Sequence, residues 1–354
     1  MKTSKKNPNA SGQRLGKIGG EGKHGRAPQV PSLIFPGETR VHYTPWLLIR
    51  SYLGDAGARP LASGSVFWES PDVWVVSAAG VNQPITGQNN TLFARVTNLG
   101  RETATGVQVR FWWANPSLAI TETNAHLVGI GFVNIQGGST VDVQCPTPWI
   151  PIVENGGHEC LLAEAFIPQF DPLIAPLDPV DDHHVGQKNE QLLLVSPGHP
   201  FIVKVEALNI SGFALPLTLE VRPALRQTAL PVVLAARTQL AAFKVRPPTG
   251  TLPLSLKLDE SAAAFSGVSA TFARRLLSAT LQEEKGTLTS CTSSPQIAHT
   301  ANFEPWEVRT AELSGRVPAD AQPGQSFLFR IQQRVGGIVT GGYTVQVVVS
   351  EAGA

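Results

Sequence analysis

The chain is short of most of the features from which enzyme chemistry is built. Its three cysteines, Cys145, Cys160 and Cys291, match no zinc-ligand spacing and are too few for a disulfide scaffold. Charged residues are only 16% of the 354 positions and balance to a formal net charge of +1. That balance supplies no bulk attraction for nucleic acid or an anionic membrane, so no nucleic-acid partner is expected. No apolar run approaches the roughly 20 residues that a membrane-spanning helix requires, so no membrane span is expected. No G-x-S-x-G elbow, phosphate-cradling loop or H-E-x-x-H pair occurs. Gly20-Glu21-Gly22-Lys23-His24-Gly25 formally spells G-x-G-x-x-G, but no strand pattern precedes it and no helix pattern follows. The expectation is therefore a protein that is not an enzyme. The catalytic alternative is a site assembled from scattered residues at a domain interface.

What the chain does contain is turn formers, 33 glycines and 28 prolines, set among short segments of alternating polarity. With 42% hydrophobic residues and few charges, the bulk of it is expected to fold. In Leu92-Phe93-Ala94-Arg95-Val96-Thr97, the residues Leu92, Ala94 and Val96 share one face, and period two places that aliphatic set inside. Val107, Val109, Phe111 and Trp113 alternate with Gln108, Arg110 and Trp112. The first set is the core face, because Gln and Arg are rarely buried without partners. Further strands are expected at Val73–Val76, His126–Ile135, Val141–Gln144 and His158–Phe166, with Glu190–Val195 as the last of about seven, the number in an immunoglobulin-like sandwich.

Three stretches carry a resemblance to a known family. They are Ser70-Pro71-Asp72-Val73-Trp74-Val75, the run from Leu92 to Gly100 followed by Ala104-Thr105-Gly106-Val107-Gln108-Val109, and Asp182-His183-His184-Val185-Gly186-Gln187-Lys188-Asn189. At these residues the region of about 66–195 resembles CARDB, the bacterial immunoglobulin-like domain named for cell adhesion. The resemblance implies a β-sandwich without catalytic residues and an adhesive or structural role.

The fold class expected is all-β, with two tandem immunoglobulin-like β-sandwiches behind a disordered leader. Residues 1–35 are polar, basic and glycine-rich and read as that leader. Residues 36–65 form an apolar brace or extra strand, 66–196 the first sandwich and 197–354 the second. In the second, Phe201–Ala207 and Leu217–Val221 read as strands. The segments at 327–332 and 343–349 read as a hairpin whose loop is bounded by Gly336-Gly337 and Gly341-Gly342. Phe265, Val268, Phe272, Leu276 and Ala279 have helical spacing, although a strand pair would serve as well.

Candidate functional residues are few. Trp112 is a large apolar ring on the polar side of its strand. With Trp68, Arg110 and Gln108 it makes a candidate binding face for a sugar ring or a partner protein. The competing reading has Trp112 and one of Phe67 or Trp68 covered by the brace or by the second sandwich. Asp178, Asp181, Asp182, His183 and His184 lie within seven residues. Asp178, Asp181, Asp182 and His183 are the candidate metal ligands, with calcium the cofactor their oxygen donors suggest and a transition metal the one the histidines could take. The other reading is a solvated loop, since adjacent histidines on an extended chain point opposite ways. Cys145 and Cys160 either bridge neighbouring strands or remain buried thiols. His158, two residues before Cys160, is the one base placed to activate a cysteine.

The function expected is a non-catalytic interaction or structural module with a protein or glycan partner, adhesive or part of a surface or secreted assembly. A carbohydrate-binding module using exposed aromatics is the alternative. The resemblance points outside the cell, whereas the first residues lack the apolar core of a secretory signal. The oligomeric state is left open.

Overall fold

Where one face of a strand must be dry and the other wet, alternation of residue type decides the structure, and this governs the first half of the chain. The computed structural model describes residues 44–82, 84–151, 160–224, 252–259, 263–264 and 297–350. The expected leader, the aliphatic stretch 230–245, the helical pattern at 265–279, His158 and Cys291 lie outside the described residues.

The first half contains β1 (Leu47–Leu48), β2 (Val73–Ser77), β3 (Gly80–Val81), β4 (Thr91–Asn98) and β5 (Ala104–Ala114). It continues through β6 (Ala125–Ile135), β7 (Thr140–Gln144), β8 (Cys160–Phe166) and β9 (Val185–Lys188). One sheet centres on β4, which pairs with β7 along one edge and with β2 and β1 along the other. The second sheet has the order β6-β5-β8-β9. Val73, Val75, Leu92, Ala94 and Val96 of the first sheet share a core with Val107, Val109, Phe111, Leu161, Ala163 and Ala165 of the second. The inward set read from β4 and β5 is thus the buried set, and Leu47 and Ile49 of the apolar brace enter the same core. Residues 36–43 of that brace lie outside the described residues.

The second half contains β10 (Glu190–Val195), β11 (Pro200–Leu208), β12 (Leu215–Pro223), β13 (Leu254–Leu258) and β14 (Ala263–Ala264). It ends with β15 (Ile297–Phe303), β16 (Glu307–Arg316), β17 (Ser326–Val335) and β18 (Ile338–Val349). One sheet runs β10-β18-β17-β12-β15, and the other runs β11-β16-β13 with β14 also on β16. Val203, Val205 and Leu313 meet Leu217, Leu219, Phe329, Ile331, Val345 and Val347 in a second core.

Two elements differ from the sequence reading. Glu190–Val195 does not close the first pair of sheets. It runs parallel to β18, with Glu190 opposite Thr344 and Val195 opposite Val349, and the first half ends instead with β9. Gly341 and Gly342 lie within β18, not in a loop, and the turn of the last hairpin is Gly336-Gly337 alone. These two glycines answer a packing demand. A Cβ at Gly341 would overlap the Leu118 carbonyl, and one at Gly342 would lie 2.3–2.5 Å from three atoms of the Trp68 indole.

The two halves are joined by one residue. β9 ends at Lys188, β10 begins at Glu190, and Asn189 between them is fully buried. Its N–H donates to the Trp68 carbonyl (2.9 Å), and its carbonyl accepts the Thr344 N–H (2.9 Å). Its side-chain amide donates to the carbonyls of Gly342 (3.2 Å) and Ser117 (3.4 Å). Beside it, the Trp68 indole N–H donates to Thr344 Oγ1 (3.0 Å), and that hydroxyl donates to Glu69. Glu69 also takes a two-pronged bond from Arg330, with Nε at 2.7 Å and Nη2 at 3.0 Å. Leu118 N–H donates to the Glu206 carbonyl and Glu206 N–H to the Pro116 carbonyl, adding a parallel bridge across the same seam.

Two substitutions test this packing by urea denaturation. Gly342→Ala forces a methyl into the Trp68 ring and is expected to cost about 3 kcal/mol, the upper range for overpacking. Glu69→Ala leaves the partly buried Arg330 guanidinium and the buried Thr344 hydroxyl without their carboxylate and is expected to cost about 2–3 kcal/mol. An unchanged midpoint for either variant would contradict the packing described.

Candidate functional site

The outward face of β5 carries three of the four residues of the candidate binding face. Gln108, Arg110 and Trp112 are all half-buried. The register between β5 and β6 shifts between Phe111 and Trp112, an irregularity that re-aims the indole. Trp112 packs against Ala125, Leu162 and Leu177, and its N–H donates to Glu164 Oε2 at 3.0 Å. The Arg110 guanidinium sits 4.6 Å from the centre of the Phe166 ring, with Nη1 3.9 Å from Glu164 Oε2. Trp68 is not part of this face. It is fully buried in the seam between the halves, which corrects its reading as an exposed aromatic. Alternation shows which side of a strand a ring takes but not what later covers it.

Glu164, absent from the sequence candidates, is the centre of the face. It is fully buried on the outward side of β8 and accepts the Leu177 N–H (2.8 Å) as well as that of Trp112. Burial pushes its carboxyl above the usual range, against the opposing pull of the two N–H donors and Arg110. Leu177 is held in the left-handed backbone region, at φ 56°, where a branched side chain is strained. The bond to Glu164 and the burial of its side chain hold it there. The loop from 167 to 184 thereby closes over the outer face of β8, every residue of which is buried. A lone acid within Leu161-Leu162-Ala163-Glu164-Ala165 was the available signal.

The same loop gathers the acids and histidines. Its ligand-capable group is Asp171, His183 and His184, of which the sequence candidates included only His183. Asp182 stands behind His184: Oδ1 accepts the imidazole Nδ1–H (2.6 Å) and the His184 backbone N–H (3.0 Å), and Oδ2 accepts the N–H groups of Ile174 and Ala175. Asp178 Oδ1 caps the Val180 N–H, and Asp181 is half-buried in the turn. Asp171 thus joins the histidines, while Asp178 and Asp182 spend carboxylate oxygens on backbone N–H groups. Residues 183 and 184 occupy a turn, so their rings come together at 4.1 Å instead of pointing apart.

Burial drives His183 down to about 4, reinforced by the neighbouring His184 charge. Burial would lower His184 too, but Asp171 and Asp182 outweigh it and hold the ring up at about 9. Burial would raise Asp182, and the bond and charge of His184 hold it at about 2. The His183 ring lies between that of Trp46 (4.4 Å) and that of His184. Its Nδ1 contacts the Leu47 carbonyl at 2.6 Å, while Asp171 Oδ2 accepts the Leu47 N–H at 2.6 Å. The cluster therefore pins β1 to the loop.

Cys145 and Cys160 are buried thiols that do not bridge. Cys145 packs in the first core and Cys160 in the second, so their side chains serve different clusters. Burial raises the Cys145 thiol, which makes it a poor nucleophile.

No family model and no curated protein matches the chain. Among solved structures, a family 123 glycoside hydrolase from Clostridium perfringens is 8% identical over 47% of this chain, with a TM-score of 0.26. The chain spans 23% of that enzyme's length. The collagen adhesin of S. aureus is 10% identical over 83% of this chain and 96% of its own, with a TM-score of 0.22. A β-glucosidase from Streptomyces venezuelae is 14% identical over 29% of this chain and 13% of its own, with a TM-score of 0.17. Likeness at this level establishes neither a common fold nor a common function.

Glu164→Ala removes the acceptor that holds both Trp112 and the strained Leu177. Hydrogen exchange at the Leu177 amide is expected to accelerate by at least about tenfold, the loss of one buried hydrogen bond. Exchange as slow as in the unsubstituted chain would show that Glu164 does not hold the loop.

Proposed function

We propose that the chain is a non-catalytic interaction and structural module, two immunoglobulin-like sandwiches fused end to end at Asn189 and presenting their outer surfaces to a protein partner. The strand order supports the immunoglobulin-like reading. In the first half, β2-β4-β7 faces β9-β8-β5-β6, and in the second, β11-β16-β13 faces β18-β17-β12. Taking β11, β12, β13, β16, β17 and β18 as strands B to G, the order is B-E-D against G-F-C, the common centre of an immunoglobulin-like sandwich, with β10 beside G and β15 beside C. The CARDB-like resemblance of about residues 66–195 rests on the residues quoted for it.

The observation that carries the proposal is the seam. A binding or catalytic cleft between domains needs a cavity of about 300–1,000 Å³. The cavity lined by Phe67, Leu118, Asp178, Ile210 and Thr340 offers about 30 Å³, room for about one water, and the open pocket of about 520 Å³ beside Glu206, Lys257 and Glu312 takes only Pro116 from the first half. Large buried side chains and paired charges fill the junction, which suits a spacer that holds its two bodies at one fixed angle. The surface left to meet a partner includes the edge strand β6, with Leu127 and Phe132 exposed. Among the described residues no helix is long and apolar enough to cross a membrane. The sugar-binding alternative is disfavoured because the Trp112 ring, the stacking surface a sugar would need, is half-buried against Ala125, Leu162 and Leu177 and pinned by its N–H to Glu164.

Arrays of extracellular proteins and of glycans, probed with the full chain and with Trp112→Ala, test the reading. Saturable binding to a protein that persists in the variant is expected. Glycan binding that Trp112→Ala abolishes, with no protein bound, would overturn it, as would turnover of any bound ligand.

A further inference from the structure

We propose that Asp171, His183 and His184 form a binding site for a divalent transition metal of the zinc type. One ligand-capable atom of each lies within 4.8 Å of those of the other two. What singles the group out is that each side chain has one polar atom already anchored. His184 Nδ1 is bonded to Asp182, His183 Nδ1 to the Leu47 carbonyl, and Asp171 Oδ2 to the Leu47 N–H. Bonds of this kind to a carboxylate or carbonyl fix the orientation of a metal-ligating histidine, and at His184 the ion would take the place of the Nε2 proton that faces Asp171.

A second, independent feature points the same way. His184 Nε2 is buried and makes no aligned hydrogen bond, its close partner being the charge of the Asp171 carboxylate, itself a member of the group. It lies 3.1 Å from Asp171 Oδ1, but in a direction that makes no hydrogen bond. Two donors at about 2.1 Å from one tetrahedral zinc ion stand roughly 3.3 Å apart, so this spacing suits atoms facing a shared ion. Two imidazoles and one carboxylate favour zinc and its transition-metal neighbours over calcium, which takes six to eight oxygens. Bound there, the ion would tie β1, through Leu47, to the loop that closes over β8, in addition to the bonds now holding it.

The full chain, stripped with a chelator, is titrated with zinc by calorimetry at about pH 8, since protons compete for the histidine nitrogens. One equivalent is expected to bind, raising the thermal midpoint by about 5 °C or more at saturation. His184→Asn keeps a donor for Asp182 in place of Nδ1–H but has no Nε2, and Asp171→Asn removes the carboxylate. Each is expected to weaken binding at least about tenfold. Zinc-edge X-ray absorption of the loaded wild-type chain reads the ligands without relying on a variant's folding, and a shell with two imidazoles is expected. No uptake by the wild-type chain, undiminished affinity in the folded variants, or a shell without two imidazoles would overturn the proposal.

Discussion

A single buried residue carries the connection between two β-structured halves, and most of the architecture follows from that constraint. Asn189 has no slack: the strand before it belongs to one pair of sheets and the strand after it to another. A junction this short forces the end strands of both halves together, and the polar groups trapped there must find partners or cost free energy. Most do so in a connected set, although Asn189 Oδ1 is buried without a hydrogen-bond partner. Asn189 bonds Trp68, Thr344, Gly342 and Ser117, and the Trp68–Thr344–Glu69–Arg330 chain runs beside it. Isolated ion pairs of this kind contribute little to net stability, but a buried one with a partner removed is expensive. Their effect here is to leave one relative orientation in which every charge is matched. Lys188, whose ammonium lies 3.0 Å from Glu190, adds another pair on either side of the same residue.

The loop from 167 to 184 solves a related problem. β8 is buried on both faces, so something other than the opposite sheet must cover its outer side. The loop does this with acids that organise backbone: Asp182 and Asp178 hold its turns, while Glu164 receives Leu177 and Trp112. Charged residues in an apolar setting are here the fasteners of irregular chain, which has no ladder to satisfy its N–H groups. The same economy of placement brings His183, His184 and Asp171 against Leu47, linking the short β1 to the loop.

How much of this was legible varies with what each element is packed against. β4 and β5 have one dry and one wetter face, so period two reveals their registers, down to Val107, Val109 and Phe111 in the core. β9 was not legible because Gly186-Gln187-Lys188 looks like loop sequence, and its burial depends on partners that no local pattern encodes. β10 looked like the end of the first half because its partner is the last strand of the chain, and a parallel pairing across that separation leaves no local mark. Gly341-Gly342 resembles a turn and is a clearance, set by Leu118 and Trp68 from the other half. At the candidate site, the acid-histidine run was visible as composition, but Asp171, Glu164 and the Leu47 backbone join it only through the fold. The two thiols follow the same rule, since only the three-dimensional arrangement places Cys145 and Cys160 in different cores.

The central claim is that Asn189 and the groups around it make the two halves one rigid body. Amide nitrogen-15 relaxation on the full chain measures this directly, because each amide reports the tumbling of the body that carries it. The account predicts one common rotational correlation time and a shared diffusion tensor for amides in β4–β9 and in β11–β18. Two separate, shorter correlation times, one for each half, would contradict it.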